Sequence, residues 1–282
     1  MRVAGSKETI ISDKVFDSDQ AAAYYDDSAV STFYEQCWGG VDIHIGRYAT
    51  GEESVAEASA DMTKYLIENA GLDAGNRVLD IACGFGGTLR TLAQMGCTAK
   101  GIDISQNCVD RARKAAADAG FGDRIDVEVG DFHGIDSAPD SWDAVICQEA
   151  IIHSADRPSV FAEAFRVLRP GGTFAFSDIL TGENADPSMV EAAFARLGAR
   201  VGSTVSDYQA MAREAGFELS FVDERPNDIT AHYDKLAEKL EQPIAGLDAD
   251  AKASISQSIG RWQAALAGGH ITWACFVARK PA

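Results

Sequence analysis

At 282 residues the chain is long enough for one large domain, or a core domain with a cap, and its 46% of hydrophobic residues suffices for a sizeable core. A net charge of −18 excludes a broad nucleic-acid surface, because phosphate binding needs clustered lysine and arginine. No apolar run reaches the length of a membrane span, no apolar leader follows Met1, and the six scattered cysteines form no Cys-x-x-Cys pair. A membrane partner, a disulfide framework and a metal site are therefore not expected, and a reducing cytoplasm is the simplest setting. The acidity fits an ordinary acidic enzyme as well as a salt-rich cytoplasm.

In chain order, residues 1–52 are mixed and dense in aromatics, and read as a lid. Residues 53–71 read as a helix that Gly71 ends. The pattern then becomes regular. Strands are expected near 77–82, 98–102, 125–129, 143–147 and 172–178, with helices between them near 87–95, 105–119 and 157–168. Gly120 and Pro170-Gly-Gly172 act as helix stops. Strands separated by helices imply a parallel sheet. A helix near 205–215, a strand near 218–223, helices near 228–241 and 248–267, and a strand over 271–278 complete the chain. The expected organisation is a lid over 1–52 and an α/β domain over 53–282, with a helical insertion near 226–268.

The most informative stretch is Arg77 to Asp103. An apolar strand runs into the turn Cys83-Gly-Phe-Gly-Gly87, a helix follows, and a second strand ends on Asp103, nineteen residues past Gly84. This is the form of a nucleotide-binding βαβ unit, with a terminal carboxylate able to accept both hydroxyls of a ribose. Glycines there let the backbone approach a ligand closely. The loop is G-x-G-G and Asp80 precedes it. That early acid argues against a pyrophosphate, which would favour a helix N-terminus, and for a cationic group such as a sulfonium with an amino-acid head. The plainer reading of Asp80 is a structural cap on the loop.

Two further positions follow from strand ends, where open α/β sheets bind ligands. Asp131 and Phe132 end the third strand. Asp131 can accept from an adenine amino group and Phe132 can lie against the base; the alternative is a solvated acid beside a core Phe. His153 follows the fourth strand by a few residues, which places it at the reactive face of a bound cofactor, although a lone histidine is more often structural. The aromatic segment Tyr24 to Tyr48 is too polar for a plain core helix. Aromatic faces hold quaternary ammonium groups and exclude water; an amphipathic helix packed on the sheet is the plainer reading.

On Asp80, Gly84, Gly86, Gly87 and Asp103 the chain resembles the class I methyltransferases that use S-adenosyl-L-methionine. The resemblance sharpens over Phe33-Tyr34, Trp38-Gly-Gly, Asp42-Ile-His44, Gly46 and Tyr48. It continues through Glu149-Ala-Ile-Ile-His-Ser154, Val167-Leu-Arg-Pro-Gly-Gly172, Glu224-Arg-Pro-Asn-Asp228, His232-Tyr233 and Leu266-Ala-Gly-Gly-His-Ile-Thr-Trp273 to Arg279-Lys280. Over nearly its whole length the chain looks like the sarcosine/dimethylglycine N-methyltransferases, which make glycine betaine. The resemblance implies a Rossmann-like, seven-stranded, mostly parallel sheet with its last strand antiparallel beside the fifth, under an N-terminal helical lid. It implies S-adenosyl-L-methionine held by Tyr25, Trp38, Asp80, Ala82, Gly84, Asp103, Ile104, Asp131, Phe132 and Gln148. A small amine or amino acid would lie against Tyr34, Trp38, His153, Tyr233, Arg196 and Arg200. More distantly the chain is similar to phosphoethanolamine methyltransferases, whose tyrosine–histidine dyad maps onto Tyr25 and His153. The exit of strand five, Ser177-Asp178-Ile179, lacks the tyrosine of those enzymes, which counts against a phosphobase.

The chemistry of a small amine fits these residues. Methyl transfer from a sulfonium is an in-line displacement, so the site must position the pair and exclude water. Alkyl amines resemble lysine, with a pKa of about 10, so a proton must be removed, and His153 with Tyr25 is a candidate for that. The acceptor's carboxylate needs a cation, with Arg196 as first and Arg200 as second choice. The rival activities are S-methylation of a small thioether or thiol acid, a phosphoethanolamine-type N-methylation, a fatty-acyl cyclopropane synthase, and a non-catalytic cofactor-binding module. Neither the number of methyl groups added nor a choice between monomer and homodimer follows from the sequence.

Overall fold

The computed structural model describes residues 25, 26, 28–195 and 202–282. Helix α1 (Ser28–Gln36) leads into an extended strap over 38–48, and α2 (Val55–Ala70) precedes the sheet. Alternation then runs β1 (Arg77–Asp80), α3 (Gly87–Gln94), β2 (Thr98–Asp103), α4 (Gln106–Asp118), β3 (Ile125–Val129) and β4 (Trp142–Gln148). A single 3₁₀ turn (Ile151–His153) leads to α5 (Arg157–Val167), β5 (Leu168–Thr181), α6 (Pro187–Phe194) and α7 (Val205–Glu214). The chain ends with β6 (Glu218–Glu224), α8 (Pro226–Glu241), α9 (Ala249–Ala267) and β7 (Ile271–Arg279).

The seven strands lie in the order β3-β2-β1-β4-β5-β7-β6. The first five are parallel, and β7 runs antiparallel between β5 and β6. This is the expected sheet, with the last strand beside the fifth. Its hydrophobicity explains the placement. Eight of the nine residues of β7 are buried, as an interior strand covered on both faces requires, whereas β6 has no fully buried residue and forms an edge. One face of the sheet packs on α2, α3, α4, α8 and α9, the other on α5 and α7. On the second face the rings of Phe161, Phe174, Phe176 and Phe276 interlock, with Phe176 and Phe276 stacked at 4.8 Å.

Local signals set the helix boundaries. Ser54 and Glu57 form a reciprocal capping box at the start of α2, and Gly71, at φ +68, ends that helix. Helix α6 has no counterpart in the sequence reading. Its start signal was present nonetheless, since the Asp186 side chain accepts from Ser188 N–H and Pro187 occupies the first helical turn. Strand β5 begins at Leu168, four residues before the expected 172, because Leu168 pairs with Trp142 ahead of a register shift that absorbs Pro170-Gly-Gly172. Among the described residues no helix is long and apolar enough to cross a membrane.

Candidate active site

The carboxyl ends of β1 to β4 and the segments that follow them enclose a cleft of about 730 Å³. Its inner end is the glycine loop and Asp103. The Asp103 carboxylate accepts Gly84 N–H and Ser105 N–H, both at 2.9 Å, so it fixes the loop as well as facing the cleft. Burial pushes its carboxyl up to about 6 against the lowering effect of those two N–H groups. Ala82, Gly84, Ile104, Asp131, Phe132 and Gln148 line the same cleft.

A second, much smaller cavity of about 60 Å³ adjoins it. Phe33, Tyr34, Trp38, Tyr233 and Trp262 supply aromatic walls, and Ile152, Ile179 and Ile259 close it with apolar side chains. Tyr25, Ile43, Glu149 and His153 line both spaces and so form the passage between them. Trp38 is the centre of the aromatic group. Its ring lies 5.1 Å from Tyr34, 5.9 Å from Phe33 and 4.7 Å from His232, and its indole N–H donates to the His44 carbonyl at 2.9 Å.

In the passage, Tyr25 Oη lies 3.2 Å from His153 Nε2, with the rings edge-on at 83°. The Tyr25 segment is moored to α4: Ser105 donates to Asp26 at 2.6 Å and Asn107 to Ser31 at 2.9 Å. Burial drives the His153 imidazole down to about 4, helped by the charge of Arg157, so the ring is neutral at neutral pH. Glu149 stands opposite. Its backbone has φ +49, a left-handed conformation uncommon outside glycine, at the point where β4 turns into the 3₁₀ segment. That turn sends its carboxylate back across the sheet, where it accepts Ile45 N–H at 2.7 Å, Ser177 O–H at 2.6 Å and Trp273 Nε1–H at 2.8 Å. Burial raises its pKa, opposed by the His44 charge and by these donors.

The strap places a fixed cation behind this wall. His44 is buried, 3.6 Å from Asp42, with Thr63 bridging the two. Burial disfavours its charged form, yet the hydrogen bond and charge of Asp42 and the charge of Glu149 raise it to about 9. The third glycine of the loop serves the strap: a Cβ on Gly87 would meet Asp42 Oδ1 at 2.0 Å, so only glycine admits the crossing. Asp80 lies behind the loop, 3% exposed, in a space of about 30 Å³ shared with Asp42, His44 and Gln148. Burial pushes its carboxyl up to about 7, against the Ala82 N–H.

The expected site residues thus divide. Ala82, Gly84, Asp103, Ile104, Asp131, Phe132 and Gln148 surround the large cleft, Tyr34, Trp38 and Tyr233 the small cavity, and Tyr25 and His153 the passage. Trp38, expected against the cofactor as well as the substrate, lines the small cavity and not the cleft, and Asp80 lines neither but the small space behind the loop. Arg196 and Arg200 lie outside the described residues. Glu149, Phe33 and Trp262 were not expected in the site. Glu149 reads in sequence as a polar strand end, and Trp262 as one apolar position of an amphipathic helix.

A family profile described as a methyltransferase domain matches residues 72–224. Over 93% of the chain and 95% of the relative, the sequence is 33% identical to dimethylglycine N-methyltransferase of Parasynechococcus marenigrum. The chain belongs to the sarcosine/dimethylglycine N-methyltransferase family. It is also 30% identical to the sarcosine/dimethylglycine N-methyltransferase of Aphanothece halophytica, over 93% of the chain and 97% of that relative. A proposed sarcosine dimethylglycine methyltransferase from Galdieria sulphuraria superposes with a TM-score of 0.84 at 27% identity, covering 90% of this chain and 99% of that one. A phosphoethanolamine N-methyltransferase of Haemonchus contortus, at 20% identity and a TM-score of 0.82, shares the fold. As a member of this methyltransferase family the protein uses S-adenosyl-L-methionine. Asp103→Ala should weaken binding of that cofactor by about 1.5–3 kcal/mol, the scale of hydrogen bonds to a charged group. Calorimetry measures it, and unchanged affinity would remove Asp103 from the ribose site.

Proposed function

We propose that this protein N-methylates sarcosine and dimethylglycine, giving glycine betaine, with the cofactor in the large cleft and the amine in the aromatic cavity. The observation that carries the reading is the passage: one tyrosine, one histidine and one carboxylate stand where the large cleft meets a small aromatic cavity. The cleft suits the cofactor on its own chemistry. Asp103 offers carboxylate oxygens to ribose hydroxyls, and Asp131 with Phe132 offers an acceptor and a ring to a base. The Gln148 amide nitrogen is buried on the cleft wall with no partner in the protein, a donor that a methionyl carboxylate would satisfy. When bound, S-adenosylmethionine supplies an electrophilic methyl carbon on a sulfonium.

The chain's own residues do the rest. Aromatic faces from Tyr34, Trp38 and Tyr233 exclude water and face a cationic nitrogen. The Glu149 carboxylate offsets positive charge on the acceptor nitrogen, in the protonated amine and in the quaternary product alike. His153, neutral and linked to Tyr25, is placed to hold or take the proton that the amine must lose. Arg196, or failing it Arg200, is the proposed partner of the acceptor's carboxylate. A turnover assay with methyl-labelled cofactor tests the reading against glycine, sarcosine, dimethylglycine, phosphoethanolamine and small thioether acids. Label should pass to sarcosine and dimethylglycine and accumulate in betaine. Transfer confined to phosphoethanolamine or to a thioether would overturn the reading.

A further inference from the structure

One histidine fastens the base-binding wall of the cleft to the turn that carries His153. The Asp131 carboxylate oxygen Oδ1 accepts twice from His133, from its backbone N–H at 2.8 Å and from its ring Nδ1 at 2.7 Å. A carboxylate can only accept, so the proton sits on Nδ1. The other ring nitrogen, Nε2, lies 2.7 Å from the hydroxyl of Ser154, the residue next to His153. In the neutral ring Nε2 accepts, so Ser154 O–H donates, and the same hydroxyl oxygen accepts Asp156 N–H at 3.0 Å. The chain runs in one direction from Asp156 through Ser154 and His133 to Asp131, with each donor matched to an acceptor.

The three side chains have the composition of a nucleophilic triad, but Ser154 is 1% exposed and its oxygen is already engaged. What they join matters more. Asp131 and His133 follow β3, the edge strand, whereas Ser154 follows β4, and two strands lie between. The tie passes over the carboxyl ends of β2 and β1. At one end is the group placed to accept from a base. At the other is the 3₁₀ turn Ile151–His153, whose position sets the distance from His153 to Tyr25.

We propose that His133 is a positioning residue, which couples occupation of the base end of the cleft to the setting of His153. The inference rests on the reading that Asp131 takes the base of the cofactor. Backbone pairing joins β3 to β4 only stepwise through β2 and β1, whereas the side-chain tie joins the two following segments directly.

Two variants cut the tie on the same side. Ser154→Ala removes the hydroxyl. His133→Asn keeps a donor at the position of Nδ1 for Asp131 but no longer reaches Ser154. In the full-length protein, each should leave S-adenosylhomocysteine affinity within about threefold and lower kcat at saturating cofactor by about tenfold, as a small misplacement of a reacting group does. Combined, they should cost less than about twofold beyond either alone, because the link is already broken. Effects on kcat that multiply in the double variant, or single variants with unchanged kcat, would overturn the proposal. His133 is a partly exposed side chain, so if Ser154→Ala does not fold, His133→Asn alone carries the test: kcat should fall about tenfold while S-adenosylhomocysteine affinity holds, and unchanged kcat would overturn the proposal. Asp131→Asn reports on the underlying reading separately. Unchanged S-adenosylhomocysteine affinity there would take the base away from Asp131, whatever the cycle on kcat shows.

Discussion

His153→Ala should lower kcat by about 10²-fold or more, the low end of general acid–base catalysis, with little change in cofactor affinity. The imidazole stands in the passage, 3.2 Å from the Tyr25 hydroxyl. Its pKa of about 4 leaves it neutral, and so able to accept a proton, at every pH above about 4. A bound alkylammonium with a pKa of about 10 lies some six units higher, a gap of about 8 kcal/mol, too wide for complete transfer to the resting ring. On the proposed reading the neutral ring is a relay and not a store: it accepts the hydrogen bond of the bound ammonium and passes that proton on toward solvent, and the neutral amine so formed is methylated. The sign of the pH dependence follows. Between pH 6 and 9, kcat/KM should rise with pH as the free amine deprotonates, without an inflection near the ordinary histidine value of about 6.5. An inflection there that disappears in His153→Ala would mean that burial does not hold the ring neutral. Near-normal turnover of the variant across this range would end the base role and leave desolvation of the amine as the whole effect.

The sheet was legible because its physics is local. Apolar runs ending in glycine turns announce buried parallel strands, and Asp103, the last residue of β2, falls where sheet ligands bind. The final strand was legible for the opposite reason, an apolar run without alternation. Helix α6 escaped because its eight residues carry only a short apolar pattern. In the site, the βαβ residues could be read from spacing. The passage could not. Tyr25 and His153 are 128 positions apart, and their pairing came from resemblance alone. Glu149 opens a motif that carries the resemblance, but its role was not legible there: its donors Ile45 and Trp273 lie 104 and 124 positions away, and the folded sheet brings them together.

Trp38→Ala should cost about 3–5 kcal/mol of stability, as truncation of a buried large aromatic does, and should also weaken betaine and dimethylglycine binding by roughly tenfold or more. The two effects have different causes and can be separated. The indole is 7% exposed and packs among Phe33, Tyr34, His232 and Tyr233, so a cavity follows from its removal under any reading of the site. Its N–H holds the His44 carbonyl, which Ser59 also engages at 3.0 Å, so the loss of that bond leaves the carbonyl a partner. Binding tests the aromatic cavity itself. The product of the proposed reaction carries a fixed positive charge that no proton transfer can neutralise, and among the described residues of the cavity the ring faces and the Glu149 carboxylate are placed to meet it. A cation–π contact there contributes up to about 2 kcal/mol. Trp38→Phe keeps a ring face while losing the N–H, so it should recover part of the betaine affinity and more of the melting temperature. Both variants are measured below their melting points, by betaine inhibition and by S-adenosylhomocysteine affinity, and the second should change less than the first. If Trp38 only packs the strap against α8, stability falls while the ligand profile stays intact. Equal betaine affinity in the wild type and in folded Trp38→Ala would remove this ring from the amine site.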